Sequence, residues 1–259
     1  MFLPDELGIL TWMDGVKLGW SKLQGSFTTE IGRLTNLKQL RISHSEYSGT
    51  IPTEISLLSN SLERLSIMNN NFDDNLFEKI QNLTNLVELL SGRNNFYGSL
   101  PPDIGTKLPK MQDLVMGRTL GLTGSLPSSI GLWSDLRLLN FLKNQLTGSL
   151  PTELGNLANV TIIALSDNNL SGTVPSELGL LTNLIGINFN NNNRMNGPLP
   201  QELIQLTGLE SLGMENTGIT GTIPEQLCNR TKFTCSLFLC GCDCPCNDTM
   251  ANTTNNSSQ

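Results

Sequence analysis

The chain has 259 residues, of which 38% are hydrophobic and 15% charged, and its formal net charge is −7. This composition supplies enough apolar material for a packed core, so we do not expect the bulk of the chain to be disordered. The acidic balance argues against binding to nucleic acid or to an anionic membrane surface, and no uninterrupted apolar stretch of about 18 residues encodes a membrane span.

The first ten residues have the pattern of the closing half of a repeat. Leu3-Pro4 corresponds to Leu150-Pro151, and Glu6-Leu7-Gly8 corresponds to Glu153-Leu154-Gly155. Solenoid proteins need a polar cap at each end, and no cap with paired cysteines precedes this half-repeat. We therefore expect the sequence to begin in the middle of a repeat, with a signal or a membrane anchor in a preceding segment.

A glycine followed by one residue, an apolar residue and usually proline recurs every 24 to 26 residues. One interval of 49 residues contains a degenerate copy, in which Asp74 replaces the glycine and Phe77 replaces the proline, so the copies number nine. Apolar anchors precede each glycine at fixed offsets, as Val160, Ile163 and Leu165 do. This order, L-x-x-L-x-L-x-x-N-x-L, is typical of leucine-rich repeats, with one strand per turn. The recurring glycines are Gly25, Gly49, Gly98, Gly124, Gly148, Gly172, Gly197 and Gly221.

The ninth position of the repeat is usually asparagine. Its amide is expected to satisfy backbone groups of the neighbouring coil that water cannot reach. Serine or threonine stands there in other copies, and a hydroxyl can serve the same role. The asparagines are Asn70, Asn94, Asn144, Asn168 and Asn192.

Copies such as LTGSLPTELGNLANV and LSGTVPSELGLLTNL resemble the plant-specific class of leucine-rich repeats. That class includes receptor-like kinases, receptor-like proteins and polygalacturonase-inhibiting proteins, and the resemblance covers residues 1–227. It implies an α/β solenoid, a right-handed superhelix of about nine repeats. A parallel β-sheet would line the concave face, with short second strands and 3-10 or loop segments on the convex face.

All six cysteines fall within residues 228–246, after the repeats. Such clustering favours an oxidised cap, with 15 possible pairings, over the alternative of a metal-thiolate site for a soft ion. Residues 247–259 are too polar to pack and are expected to form a disordered tail. The cap cysteines are Cys228, Cys235, Cys240, Cys242, Cys244 and Cys246, and the candidate glycosylation sites include Asn82, Asn159, Asn169, Asn229 and Asn247. Together they favour an extracellular or cell-surface location.

Catalytic chemistry has little support in the sequence. His44 is the single histidine, and no phosphate-binding loop, hydrolase elbow, zinc-protease or kinase signature occurs. Acid-base or nucleophilic catalysis needs such groups within mutual reach. We therefore expect a protein that is not an enzyme and that uses neither a cofactor nor a metal.

The strand residues that alternate with the apolar anchors are expected to form a ligand-binding surface on the concave face. This surface changes from cationic through apolar to polar along the sheet, with an anionic ligand group expected near Arg41 and Arg64. The expected function is an extracellular or membrane-tethered, receptor-like module that binds a peptide, protein or glycan. Two alternatives stay open: a secreted inhibitor of a cell-wall hydrolase, and an ice- or wall-associated structural protein. The candidate binding residues are Lys17, Trp20, Arg41, His44, Arg64, Met68, Leu90, Val115, Asn140, Leu142 and Ala164.

Overall fold

The computed structural model of the chain describes residues 5–20, 23–119, 121–228 and 234–236. Its main feature is a parallel sheet in which neighbouring strands come from successive coils of the chain. The ten strands described in this sheet are Gly15–Lys17, Gln39–Arg41, Arg64–Ser66, Glu88–Leu90, Asp113–Val115, Leu138–Asn140, Ile162–Ala164, Gly186–Asn188, Ser211–Gly213 and Thr234–Ser236.

Shorter second strands follow the first strand of each coil and pair in groups of two to four. They are Gln24–Gly25, Glu46–Gly49, Asn71–Phe72, Tyr97–Ser99, Gly121–Thr123, Thr147–Ser149, Asn169–Gly172, Arg194–Pro198 and Gly218–Thr220. The convex side carries 3-10 helices at Asp5–Ile9, Thr29–Arg33, Thr53–Leu58, Ser128–Leu132, Thr152–Asn156, Ser176–Leu180 and Gln201–Gln205, and α-helices at Leu76–Ile80, Ile104–Lys107 and Glu225–Cys228. The solenoid expected from the repeats is confirmed.

The sheet extends beyond the last predicted repeat. Strand Thr234–Ser236, in the cysteine-rich segment, pairs with Ser211–Gly213, and Cys235 stands opposite Leu212. The main sheet therefore continues past residue 227. Most of the predicted disulfide cap lies outside the described residues, which do not include Cys240, Cys242, Cys244 and Cys246.

The coils stack without a shift in register, and this register builds the core. Leu139 lies opposite Leu114 in the preceding coil and Ile163 in the next, and all three side chains are buried. Burying one such side chain contributes about 1.5–3 kcal/mol relative to leaving it in water. Each coil can bury its anchors only against its two neighbours, so the core is a continuous column along the solenoid.

Proline and glycine shape the convex turns. Pro151 and Pro175 occupy the N-cap of the 3-10 helices that follow them, in an extended conformation with φ of −70° and −66°. Proline presets this φ and so ends the preceding extended segment. Gly155 lies in the first of these helices, where a Cβ atom would stand only 2.6 Å from the carbonyl oxygen of Glu177 in the next coil. A side chain at that position would force the two coils apart.

A ladder of buried asparagines joins successive coils. The Oδ1 of Asn168 accepts a hydrogen bond from the Leu146 N–H at 3.0 Å. Its Nδ2 donates to the carbonyl oxygens of Phe141 and Leu165 at 2.9 and 3.0 Å. Asn70, Asn94 and Asn192 make the same set of contacts in their own coils. The role expected for the ninth-position amide is confirmed.

Aromatic side chains replace leucine in the second strands of the early coils. The ring of Tyr47 stacks on that of Phe72 with centroids 6.1 Å apart, and Phe72 stacks on Phe96 at 6.2 Å. The Tyr47 hydroxyl is buried and has no hydrogen-bond partner in the described chain. Burial raises the pKa of Tyr47 to about 12, which reflects the same apolar surroundings.

We predict that Asn168→Ala lowers the free energy of unfolding by about 3 kcal/mol, because it leaves a buried N–H group and two buried carbonyl groups short of a partner. Asn169→Ala, at the exposed neighbouring position, is the matched control and is expected to change stability by less than about 0.5 kcal/mol. Urea unfolding followed by circular dichroism measures both. Equal effects of the two substitutions would contradict a structural role for the ladder.

We also predict that Tyr47→Phe raises the free energy of unfolding by about 1 kcal/mol, because it removes an unpaired buried hydroxyl and keeps the stacked ring. The other tyrosine of the chain, Tyr97, is half exposed, so Tyr97→Phe is expected to have no measurable effect. Urea midpoints of the two variants test this. A loss of stability in Tyr47→Phe would indicate that the hydroxyl has a partner in solution.

Candidate functional site

The candidate site is the open surface of the main sheet on the concave face of the solenoid. In the nine strands up to Ser211–Gly213 the middle residue is buried and its neighbours are mostly at least partly exposed, as Leu138 and Asn140 are on either side of Leu139. The register sets the third residue of each strand beside its counterparts in the adjacent coils, so that the third residues form one continuous row. Six predicted binding residues stand in this row: Lys17, Arg41, Leu90, Val115, Asn140 and Ala164.

The remaining predicted residues occupy parallel rows of the same surface. Arg64 is the first residue of its strand, opposite Gln39 and Glu88. Met68 and Leu142 follow their strands by two residues, and Trp20 and His44 follow theirs by three. All eleven candidates are at least partly exposed on one face. The structure therefore brings them together, and their role in binding stays a prediction.

The cationic end of this surface is largely neutralised by carboxylates. One terminal nitrogen of Arg41 lies 3.4 Å from Glu88 Oε1, two coils away. Arg64 lies 3.8 Å from Glu63 Oε2. Both guanidinium groups therefore face a carboxylate, while the Nε of Arg41 is buried without a hydrogen-bond partner in the described chain, and the anionic ligand group expected near them stays a prediction. Sequence reasoning did not anticipate the pair between Arg41 and Glu88, because it joins residues two coils apart.

A row of left-handed residues runs along one side of the strands. Each non-glycine residue directly before the ninth position of the repeat has a φ between 52° and 61°. Only a few per cent of non-glycine residues adopt this conformation, and asparagine, aspartate and histidine tolerate it best. We call this set the left-handed row: Trp20, His44, Asn69, Arg93, Arg118, Lys143, Asp167, Asn191 and Asn216.

Planar side chains stack at the start of the left-handed row. The indole of Trp20 is 82% exposed and lies parallel to the His44 imidazole, with ring centroids 3.8 Å apart. The Asn69 amide nitrogen lies 2.9 Å from Nδ1 and 3.2 Å from Nε2 of the same imidazole. Burial, and then the positive charge of Arg93, lower the pKa of His44 from its usual 6.5.

The middle of the concave face is apolar. Leu138 and Ile162 stand opposite each other in adjacent strands, and Leu142 follows Leu138 in the same coil. These side chains are partly exposed, with Ile162 at 43%. Together with Leu90 and Val115 they form the apolar strip, a name used below for these five residues. Exposed apolar side chains grouped on one face are a mark of interaction sites.

The candidate glycosylation sites that the structure describes are all exposed: Asn82, Asn159 and Asn169. The amide nitrogen of Asn159 also donates to the Ser134 carbonyl in the preceding coil at 3.0 Å. Equivalent side-chain bonds to the preceding coil are made by Asn36, Asn85 and Asn183. This second asparagine ladder was missed from the sequence, although its T-N-L and A-N-V positions recur at the repeat period. Asn229 and Asn247 lie outside the described residues.

The described residues include no group of three or more His, Cys, Asp or Glu side chains placed to hold a metal ion. None of the helices found in those same ranges is long and apolar enough to cross a membrane. His44 lies between an indole and an amide, so neither ring face is open to a substrate. The geometry of the site is that of an open binding surface.

Comparison with known proteins also indicates a leucine-rich repeat solenoid. A sequence model of the family described as Leucine Rich Repeat matches residues 159–181. No curated protein sequence matches the chain. Many solved structures do match.

Two of the similar structures are plant receptors. The crystal structure of a TDR receptor is 32% identical, with a TM-score of 0.84, over 90% of this chain and 40% of that one. The Arabidopsis receptor kinase HAESA, in complex with the peptide hormone IDA and a co-receptor, is 29% identical with a TM-score of 0.84, over 91% of this chain and 39% of that one. The present chain therefore spans about two fifths of these receptor structures.

A third similar structure is named for a different function, ice binding. A plant ice-binding protein is 26% identical with a TM-score of 0.71, over 86% of this chain and 70% of that one. The chain therefore has the leucine-rich repeat solenoid fold and is similar to plant receptor ectodomains of that fold.

Proposed function

We propose that this chain is an extracellular or membrane-tethered recognition module that binds a peptide, protein or glycan through its concave face, in the manner of a receptor ectodomain. The observation that carries the proposal is the apolar strip on the open sheet. Partly exposed Leu, Val and Ile side chains in adjacent coils lose contact with water when a partner covers them, and this contributes about 25 cal/mol per Å² of apolar surface.

The dimensions and chemistry of the surface support such a partner. Strands about 4.8 Å apart give the ten-stranded sheet a length of about 40 Å, which is enough for an extended peptide or the edge of a protein. Charged and amide side chains border the apolar strip on both sides, as Glu88 and Asn188 do. A polar border around an apolar centre is the usual arrangement of protein interfaces. The complex of HAESA with a peptide hormone adds support from a similar protein.

We predict that peptides selected from a phage-displayed random library against the immobilised chain bind the apolar strip. The triple variant Leu90→Glu, Leu142→Glu and Ile162→Glu should weaken their binding by at least about ten-fold, because apolar anchors at the centre of an interface carry most of its energy. Surface plasmon resonance measures the affinities, and thermal melts check that the variant folds.

Three exposed leucines on the convex side provide a control in which the same number of aliphatic side chains is replaced by Glu. Leu57, Leu132 and Leu180 are exposed on the convex 3-10 helices, so their replacement by Glu should leave peptide binding unchanged. Selected peptides that bind both triple variants equally well would argue against recognition by the concave face, and so would a library that yields no binders.

A second candidate, adsorption to a regular solid surface such as ice, is favoured by a different part of the molecule. Small hydroxyl residues recur on the exposed side of the second strands and just after them, one coil apart. Tyr97 and Pro198 interrupt this array, so it is only partly regular. A plant ice-binding protein is among the similar structures. The exposed hydroxyl residues are Ser26, Ser48, Thr50, Ser99, Thr123, Ser125, Thr147, Ser149, Thr173, Thr220 and Thr222.

If this second candidate is right, the chain should produce thermal hysteresis in a nanolitre osmometer, and Ser149→Tyr should remove most of it by breaking the flat array. Ser128→Tyr, at an exposed position on a convex 3-10 helix, is the control and should keep full activity. Absence of hysteresis in the unmodified chain would eliminate the candidate.

A further inference from the structure

The cations of the left-handed row form a second feature of the concave face. Arg93, Arg118 and Lys143 come from three successive coils and stand at the same phase of the repeat. No carboxylate of the described chain lies within ion-pair distance of any of them, in contrast to Arg41 and Arg64. The chain as a whole is acidic, so three adjacent unpaired cations are a local exception.

The backbone at these positions does not require cationic side chains. The three residues have φ values of 56°, 61° and 54°, in a region that asparagine adopts more readily than arginine or lysine. Their N–H groups are held by the next coil, as in the bond from Arg93 to the Gly117 carbonyl at 2.9 Å. Asn69, Asn191 and Asn216 fill the same place in other coils. The fold itself therefore does not require long cationic side chains at these three positions.

Two backbone N–H groups beside these cations differ from their counterparts in other coils. The N–H of Leu142 donates to Asn140 Oδ1 at 3.1 Å, and the N–H of Asn190 donates to Asn188 Oδ1 at 3.0 Å. In two earlier coils Leu90 and Val115 stand at the position of Asn140 and Asn188. Their side chains contain no hydrogen-bond acceptor. The corresponding N–H groups of Gly92 and Gly117 have no hydrogen-bond acceptor within the described ranges.

The two glycines lie beneath this part of the surface, because both are buried. A Cβ atom on Gly92 would stand 2.6 Å from the Gly117 carbonyl oxygen, so a side chain there would require the backbone to shift. The groups that are at least partly exposed here are the apolar row of Leu90 and Val115 and the cationic row of Arg93 and Arg118. Guanidinium groups form strong charge-assisted hydrogen bonds with carboxylates.

We propose that Arg93, Arg118 and Lys143 bind the acidic side chains of an extended peptide ligand. This inference rests on the proposed recognition function and names the chemistry of its ligand. The peptide runs across the strands, with acidic residues toward the cations and apolar residues toward Leu90 and Val115.

The spacing favours acidic residues that alternate with apolar ones. Three cations one coil apart span about 10 Å, and side chains at positions i and i+2 of an extended peptide are about 7 Å apart. Two carboxylates so placed lie between neighbouring cations, within reach of their flexible side chains. The apolar residue between them faces the other row. A polyanionic glycan offers charge but no apolar side chains for Leu90 and Val115, so the peptide is the better fit.

The test uses a fluorescein-labelled peptide that alternates leucine with aspartate, measured by fluorescence anisotropy against the full chain. Two peptides serve as comparisons: one with asparagine in place of each aspartate, and one with the same composition but contiguous aspartates. We expect the alternating acidic peptide to bind at least about ten-fold more tightly than either, with an affinity that falls as salt is added.

The protein variant for this test is Arg93→Asn, Arg118→Asn and Lys143→Asn. Asparagine suits the left-handed backbone, so we expect the melting temperature to stay equal or rise while peptide affinity falls at least about ten-fold. A merely structural role of the three cations would not separate stability from binding in this way. Lys38→Asn, Lys110→Asn and Arg194→Asn, which remove the same charge from other exposed positions, are the control and should bind normally.

Equal binding of the acidic and asparagine peptides, or of the alternating and contiguous ones, would overturn the proposal. So would an unchanged affinity in the left-handed-row variant, no detectable binding, or tighter binding of a sulfated hexasaccharide than of the peptide. If library-selected peptides still require Leu142 and Ile162 in any of these cases, the general recognition function survives and only its acidic ligand is wrong. If they do not, both proposals fail.

Discussion

The structure depends on hydrogen bonds that join each coil to the next through buried side-chain amides. A coil of this solenoid turns through a segment of irregular backbone before its second strand, and such backbone cannot be buried unless its N–H and carbonyl groups find partners. Asn168 satisfies three of these groups from two coils at once. Because the same amide recurs in five of the nine copies of the repeat, the register of one coil is linked to that of the next.

This register produces both the core and the candidate site. When Leu139 is held opposite Leu114 and Ile163, the residues on either side of it must also align with their counterparts. Each position of the strand therefore forms a continuous row along the concave face, to which each coil contributes one side chain. The row of third strand residues and the left-handed row are consequences of the stacking, whereas the side chains that fill them are free to vary. The side chains at those variable positions therefore determine what the concave face can bind.

Much of this could be predicted from the sequence, because the repeat period determines what is buried. The glycine period, the apolar anchors and the ninth-position asparagine predicted the solenoid, its parallel sheet and the asparagine ladder. The residues of the concave face followed from strand alternation. Contacts between coils that are not adjacent were not predictable, and Arg41 with Glu88 is the clearest case. The left-handed row was also missed, because a positive φ at Arg93 or Lys143 contradicts the intrinsic preference of those residues and is imposed by the bond to the next coil.

Hydrogen exchange of individual backbone amides, followed by NMR, tests the central claim most directly. The Leu146 N–H lies outside any strand, and its acceptor in the described chain is the Asn168 side chain. If buried amides hold the coils together, Leu146 should exchange as slowly as amides within the main sheet. Leu146 exchanging as fast as an amide of an unfolded peptide would show that the ladder does not hold the register.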